Sequence, residues 1–208
     1  MDQTSLYKNR HKRNLRFPFR KVILVFPAML ILIAAVMIVH SFSESNKIHS
    51  HDLQDKIYNS MLNKDNRLKA YNKAVSLNQG YSANTCVYFL SEVLRMNGEK
   101  IDDNICNTTE LLGIMKREGW KKEMDYKKLQ PGDICFTTDE KLSSSGIPTH
   151  TYIFMAWKDT GKYDYAYVCD NQAKDYDGKI YHLRNISKVE TIKGNIKEPF
   201  SFFIYKNK

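Results

Sequence analysis

The chain has 208 residues, 42% of them hydrophobic and 26% charged, with a formal net charge of +9 and four cysteines. That length suits one compact domain with a short accessory region. The first 21 residues hold seven bases against the single acid Asp2, leaving 25 bases and 22 acids in residues 22–208, so the high charge belongs to a tail and gives no support to nucleic-acid binding by the rest.

Behind this basic tail (1–21), Val22 to Val39 runs for eighteen residues without a charge. At 1.5 Å per residue such a helix is roughly 27 Å long, enough to cross a hydrocarbon core. A transmembrane anchor is expected over 22–43, with the N-terminus cytoplasmic and the remainder extracytoplasmic by the positive-inside rule. A cleaved signal peptide is the competing reading. The run is longer than a typical signal core and no small-x-small site follows it, so an uncleaved single-pass anchor in the cell membrane is preferred. Residues 44–50 are polar and read as a linker, and 51–208 as the folded domain.

From His51 to Leu77 the apolar residues Leu53, Ile57, Met61, Leu68, Tyr71 and Val75 recur at mostly helical spacing, which predicts one or two helices with a break near Asn63 to Asn66. Asn78-Gln79-Gly80 is a stop signal. The next helix begins near Cys86, with Cys86, Phe89, Leu90, Val93 and Leu94 forming one apolar stripe before Asn97-Gly98. Another opens at Asn107, with Glu110 three residues on, and runs to Gly119. Strand-forming segments follow at 134–136, 151–157, 163–169, 180–183 and 200–205. Helices first and strands second predict an α+β domain with an antiparallel sheet.

Cys86 stands where a polar loop becomes a helix, so its thiol meets the positive end of the helix dipole, which favours thiolate. Taken alone, a cysteine is more often an inert core residue. His150, which opens the 151–157 segment after a flexible run, supplies an imidazole that can complete a Cys–His nucleophile pair. His182 lies inside a strand, where a structural role or plain exposure is expected. A third polar group must orient His150. Asp170 and Asn171 end the 163–169 strand on opposite faces, so only one can turn toward His150, and the alternation leaves the choice open. With Cys86 reserved, Cys106, Cys135 and Cys169 allow at most one disulfide. No ligand spacing points to a metal, and no cofactor enters this expectation.

The segment Asn84-Thr85-Cys86-Val87-Tyr88-Phe89-Leu90-Ser91-Glu92-Val93-Leu94-Arg95, the turn Leu129-Gln130-Pro131-Gly132-Asp133-Ile134, the strand His150-Thr151-Tyr152-Ile153-Phe154-Met155 and the pair Asp170-Asn171 together resemble the NlpC-type cell-wall peptidases and the related CHAP amidases. The resemblance covers about residues 78–172 and rests on the order of the pieces, since Pro-Gly-Asp alone occurs in many turns. It implies a papain-like domain, with a cysteine-bearing helix packed on an antiparallel sheet.

The chemistry it implies is amide hydrolysis by acyl transfer, with peptidoglycan or peptide substrates. Cys86 would attack, His150 would exchange protons, and Asp170 or Asn171 would orient the imidazole. Backbone N–H groups near Cys86 would hold the oxyanion, with Gln79 or Tyr81 as a side-chain donor. Anchoring would confine cutting to wall near the membrane, which suits remodelling or passage of an envelope machine. The alternatives are a non-enzymatic papain-like module that binds wall or a partner, and a processing protease or acyltransferase with a protein substrate.

Overall fold

A computed structural model describes residues 52–140, 143 and 145–206. The basic tail, the expected anchor and the linker lie outside the described residues. Among the described residues no helix is long and apolar enough to cross a membrane.

Four helices come first: α1 (Asp52–Leu62), α2 (Lys64–Leu77), α3 (Cys86–Met96) and α4 (Thr108–Arg117). The break between α1 and α2 falls at Asn63, whose side chain accepts the Asp65 N–H at 2.8 Å and the Asn66 N–H at 3.3 Å. That N-cap satisfies two of the donors a new helix leaves open. Asn107 caps α4 likewise, accepting from the Glu110 N–H at 2.8 Å. In α3, Val87, Phe89, Leu90, Val93 and Leu94 are all buried, so this helix is the apolar centre of the helical layer.

The strands are β1 (Lys121–Glu123), β2 (Ile134–Thr138), β3 (Pro148–Trp157), β4 (Tyr165–Cys169), β5 (Tyr181–Asn185), β6 (Glu190–Ile192), β7 (Asn195–Lys197) and β8 (Phe202–Tyr205). Six of them form one antiparallel sheet in the order β1-β8-β2-β3-β4-β5, and β6 and β7 make a separate hairpin. The fold is α+β, as the succession of helices and strands predicts. One sheet face carries Ile134, Phe136, Ile153, Met155 and Ile204 into a core shared with the helices. The other holds Cys135, Tyr152, Phe154, Val168 and Phe203 in a second cluster. Strands β2, β3, β4 and β8 contribute to both clusters, so the middle of the sheet is covered on both sides.

The sequence reading misses β1, three residues at a sheet edge, and the β6–β7 hairpin. It also starts β3 too late: His150 is the third residue of that strand, opposite Thr137. Thr138 pairs with Pro148, which leaves Thr149 as an extra residue. This β-bulge immediately before His150 re-aims the side chain that follows it.

The Pro131-Gly132-Asp133 turn leads into β2. Asp133 is buried, and its Oδ2 accepts the Gln130 N–H at 2.8 Å, while Oδ1 has no hydrogen-bonding partner among the described residues. Burial pushes this carboxyl up to about 7 from an ordinary 3.8. The folded chain therefore binds this proton more tightly than the unfolded chain, so the group's contribution to stability falls as pH rises through that window and stays low above it. Asp133→Asn keeps an acceptor for Gln130 and removes the charge. It is expected to lose less melting temperature than wild type between about pH 5 and about pH 8; superimposable pH–melting curves would contradict this.

Candidate active site

Cys86 is the first residue of α3, and its N-cap Thr85 makes no side-chain hydrogen bond to the helix. The Thr85 hydroxyl is used elsewhere: it donates to the Ser82 carbonyl at 2.9 Å and accepts from Asn171 Nδ2 at 3.0 Å. The first N–H groups of α3 are therefore left uncapped beside the thiol. Asn84, two residues before Cys86, adopts a left-handed backbone with φ of +56°, a conformation asparagine tolerates better than most residues. That turn brings the chain abruptly into the helix.

The two candidate orienters separate cleanly. His150 Nε2 lies 2.9 Å from Asp170 Oδ2, and Asp170 has no exposure to solvent. Asn171 turns the other way and holds the loop before Cys86 through Thr85 and the Ser82 carbonyl. Asp170 is thus the group on the imidazole, and Asn171 braces the cysteine loop. An ionised carboxylate can only accept, so Nε2 carries the proton in this bond. The other ring nitrogen remains for Cys86, with which His150 is hydrogen-bonded.

The electrostatics favour a charged pair. Burial opposes ionisation of Cys86, but the His150 hydrogen bond and charge, with backbone groups of Thr151 and Val87, outweigh it and lower the thiol pKa below its ordinary 9.0. Burial likewise works against the imidazolium, yet hydrogen bonds and charge from Asp170 and Cys86 raise His150 above 6.5. The two shifts run toward each other, and both favour the thiolate–imidazolium pair over the neutral one. Burial also works against a charged Asp170. His182, His150 and Arg184 together nevertheless hold its carboxyl well below the usual carboxylate range.

Cys86 and His150 open onto a cleft of about 240 Å³, lined also by Asn84, Thr137, Thr149, Asn171, Gln172, Arg184, Ile196, Lys197 and Glu198. Thr149 spans its floor, donating to Glu198 Oε2 and lying 2.8 Å from the Thr137 hydroxyl. The β6–β7 hairpin supplies one wall. It is fixed by ion pairs from Lys193 to Asp177 at 2.6 Å and from Lys197 to Asp175.

Gln79 and Tyr81, expected as side-chain oxyanion donors, are not in the cleft lining. Gln79 sits in a left-handed turn with φ of +55°, and Tyr81 is 71% exposed. Both lie in the bend that follows α2, where the Tyr81 N–H donates to the Asn78 carbonyl at 3.0 Å. His182, expected to be structural or exposed, is buried. It stacks on Tyr176 with ring centroids 3.5 Å apart, and its Nε2 is 3.8 Å from Asp170 Oδ1.

Arg184, Ile196, Lys197 and Glu198 have no place in the sequence-level site. A signal for the hairpin was present in Lys193-Gly194, a two-residue loop with positive φ at both positions and short β-forming segments on either side. All four cysteines are free thiols, Cys106 exposed and Cys135 and Cys169 buried, so the disulfide left open by the cysteine count is not formed. Among the described residues no cluster of His, Cys, Asp and Glu could hold a metal ion. Neither protein-family models nor curated proteins nor solved structures match the chain, and the functional argument therefore rests on the geometry of this site.

Proposed function

We propose that the protein is a cysteine hydrolase of papain-like type, resembling the NlpC and CHAP enzymes, that cleaves amide bonds by an acyl-enzyme route. The observation that carries this reading is the line Cys86–His150–Asp170, a helix-start thiol hydrogen-bonded to an imidazole held by a buried carboxylate.

The Cys86 thiolate attacks the carbonyl carbon, and the oxyanion is held by the uncapped N–H groups at the start of α3. The His150 imidazolium protonates the leaving amine, giving a thioester on Cys86. A water molecule enters, gives its proton to His150 and attacks the thioester. The acid leaves, and the proton on His150 re-forms the ion pair with the freed thiolate. Asp170 acts through His150, fixing its ring and supporting its charge.

The polar cleft suits an amide polymer, and peptidoglycan peptides are the substrate the resemblance favours. The uncharged run 22–43 behind a basic tail supports a membrane-anchored enzyme working outside the cell membrane on nearby wall. The test is digestion of purified peptidoglycan by the full-length protein and by Cys86→Ala, with released fragments read by mass spectrometry. Wild type is expected to release peptide-containing fragments and the variant none above background; equal release would overturn the reading.

A further inference from the structure

Three residues that line the cleft carry buried polar atoms with no hydrogen-bonding partner among the described residues: Asn171 at Oδ1, Gln172 at Oε1, and Arg184 at Nε and Nη1. Folded proteins rarely leave such atoms unmatched, because each has given up the hydration it had in the unfolded chain. These belong to one cavity, the one onto which Cys86 and His150 open, and a few convergent polar groups in a cavity are the mark of a binding site.

Arg184, on β5, decides the chemistry. It is 2% exposed and the largest of the fully buried side chains. Its Nη2 donates to the Glu198 carbonyl at 2.5 Å, and its guanidinium carbon lies 4.9 Å from the centre of the Tyr152 ring. Neither contact brings a negative charge, and among the described residues no ion pair joins Arg184 to a carboxylate. The acids of this region are engaged elsewhere. Asp170 accepts from His150 and from the Gln172 N–H, Glu198 accepts from Thr149, and Asp175 takes Lys197 and Asn195. A guanidinium does not give up its proton in a protein, and a charge kept from water is costly until an opposite charge meets it.

We propose that Arg184 is a specificity-determining residue: its guanidinium forms a subsite, in the cleft of Cys86, that takes a carboxylate of the substrate, while Asn171 Oδ1 and Gln172 Oε1 accept N–H groups of the same peptide. The proposal rests on the cysteine-hydrolase reading and names a substrate class for it, peptides with a free carboxylate close to the cleaved amide. A carboxylate brings the one negative charge that the guanidinium lacks. A neutral carbonyl would leave that charge unanswered, and a doubly charged phosphate would meet the Glu198 carboxylate in the same cleft. Lys197 also lines the cleft, but its ammonium is held by Asp175. A cavity of about 240 Å³ admits only a short piece of peptide, which keeps the carboxylate near the bond that Cys86 attacks.

The test uses peptide fragments freed from purified peptidoglycan by a muramidase. They are compared as released and after carbodiimide amidation with excess ammonium, which turns their carboxylates into carboxamides of nearly the same size. With the full-length protein, kcat/KM is expected to be at least about tenfold higher on the acid form. Arg184→Gln should lose about tenfold on the acid form and little on the amide, bringing the ratio close to one. Arg184→Lys, which keeps the charge, should keep part of the preference. An arginine wanted only for packing would lower both rates together and leave the ratio where it was. An unchanged ratio in a folded Arg184→Gln variant would overturn the proposal. Equal cutting of both forms by wild type would do the same, and that comparison needs no variant to fold.

Failure of the hydrolase reading looks different, since neither form is then cut. Calorimetry of the two forms on full-length Cys86→Ala still reports on the subsite. Acid fragments are expected to bind at least about tenfold tighter than amidated ones; equal affinity, or no binding of either form, counts against Arg184 as a carboxylate site.

Discussion

His150→Ala is expected to reduce both the reactivity of Cys86 and any hydrolysis that depends on it, by different factors and with different pH profiles. Without the imidazole, burial is the largest influence left on the thiol, opposed by the backbone groups of Thr151 and Val87, and its pKa moves back up toward the ordinary 9.0. Near pH 7 only about 1% of a thiol with that pKa is ionised. Iodoacetamide labelling of Cys86 near neutrality should therefore fall by at least about tenfold, with a single sigmoidal rise toward alkaline pH.

Hydrolysis should fall further, by roughly 10²–10⁴-fold, because the variant also lacks the acid that protonates the leaving amine. Wild type carries two limbs. Activity rises on the acid side as the lowered Cys86 ionises, and declines on the alkaline side as the raised His150 loses its proton. The variant should lack the alkaline limb. Labelling of Cys86 that is equal in the two proteins across pH would show that His150 does not activate the thiol. Equal hydrolysis would show that it is not the proton carrier.

Local signals in the chain account for much of this site. The helix beginning at Cys86 is legible because its apolar stripe has unbroken 3.6 periodicity and ends at Asn97-Gly98, where Gly98 has a φ of +97°. The break at Asn63 is legible because asparagine caps the helix that follows it. What local signals do not carry is register. Choosing between Asp170 and Asn171 requires knowing which face of β4 meets His150, and that depends on bulges at Thr149 and after Phe154 in β3. Each bulge exchanges the two faces of the strand from that point on.

Arg184 is hidden by a related effect. Tyr181-His182-Leu183-Arg184-Asn185 shows strand alternation, but His182 and Arg184 occupy the more buried positions. Polar residues at alternate positions normally indicate the solvent face. The inversion makes sense only once His182 is seen beside Asp170 and Arg184 donating to the Glu198 carbonyl, so it belongs to the tertiary structure. Gln79 shows the opposite error. Its distance in sequence from Cys86 suits an oxyanion donor, but the left-handed bend at Gln79 and Gly80 takes the side chain out of the cleft.

Gly132→Ala is expected to be among the most destabilising single substitutions in the domain, although Gly132 is not part of the cleft. A Cβ at this position would lie 2.0 Å from the Gln54 carbonyl oxygen and 2.6 Å from its carbon, both backbone atoms in the first turn of α1. Backbone cannot rotate aside as a side chain can, so α1 must move off the turn. The backbone φ of +91° adds the strain of a conformation that L-residues rarely adopt. The turn is also tied into the sheet, since the Gly132 N–H donates to the Phe154 carbonyl at 2.8 Å and Phe154 returns a bond to Asp133 at 2.9 Å. Relief by shifting the turn would therefore pull on β3, the strand that bears His150.

Gly98→Ala is the control, because Gly98 has a φ of +97° and nothing within 4 Å of an added Cβ. It should cost only the conformational part, about 1–2 kcal/mol. Gly132→Ala should lose several kcal/mol more, read as a much lower melting temperature or as failure to fold. Similar melting temperatures for the two variants would mean that α1 does not pack against this turn. The difference between them assigns the glycine of the Pro-Gly-Asp turn a structural reason: it lets a helix backbone rest directly on the start of β2, and so holds the sheet that carries His150 and Asp170 against the helical layer that carries Cys86.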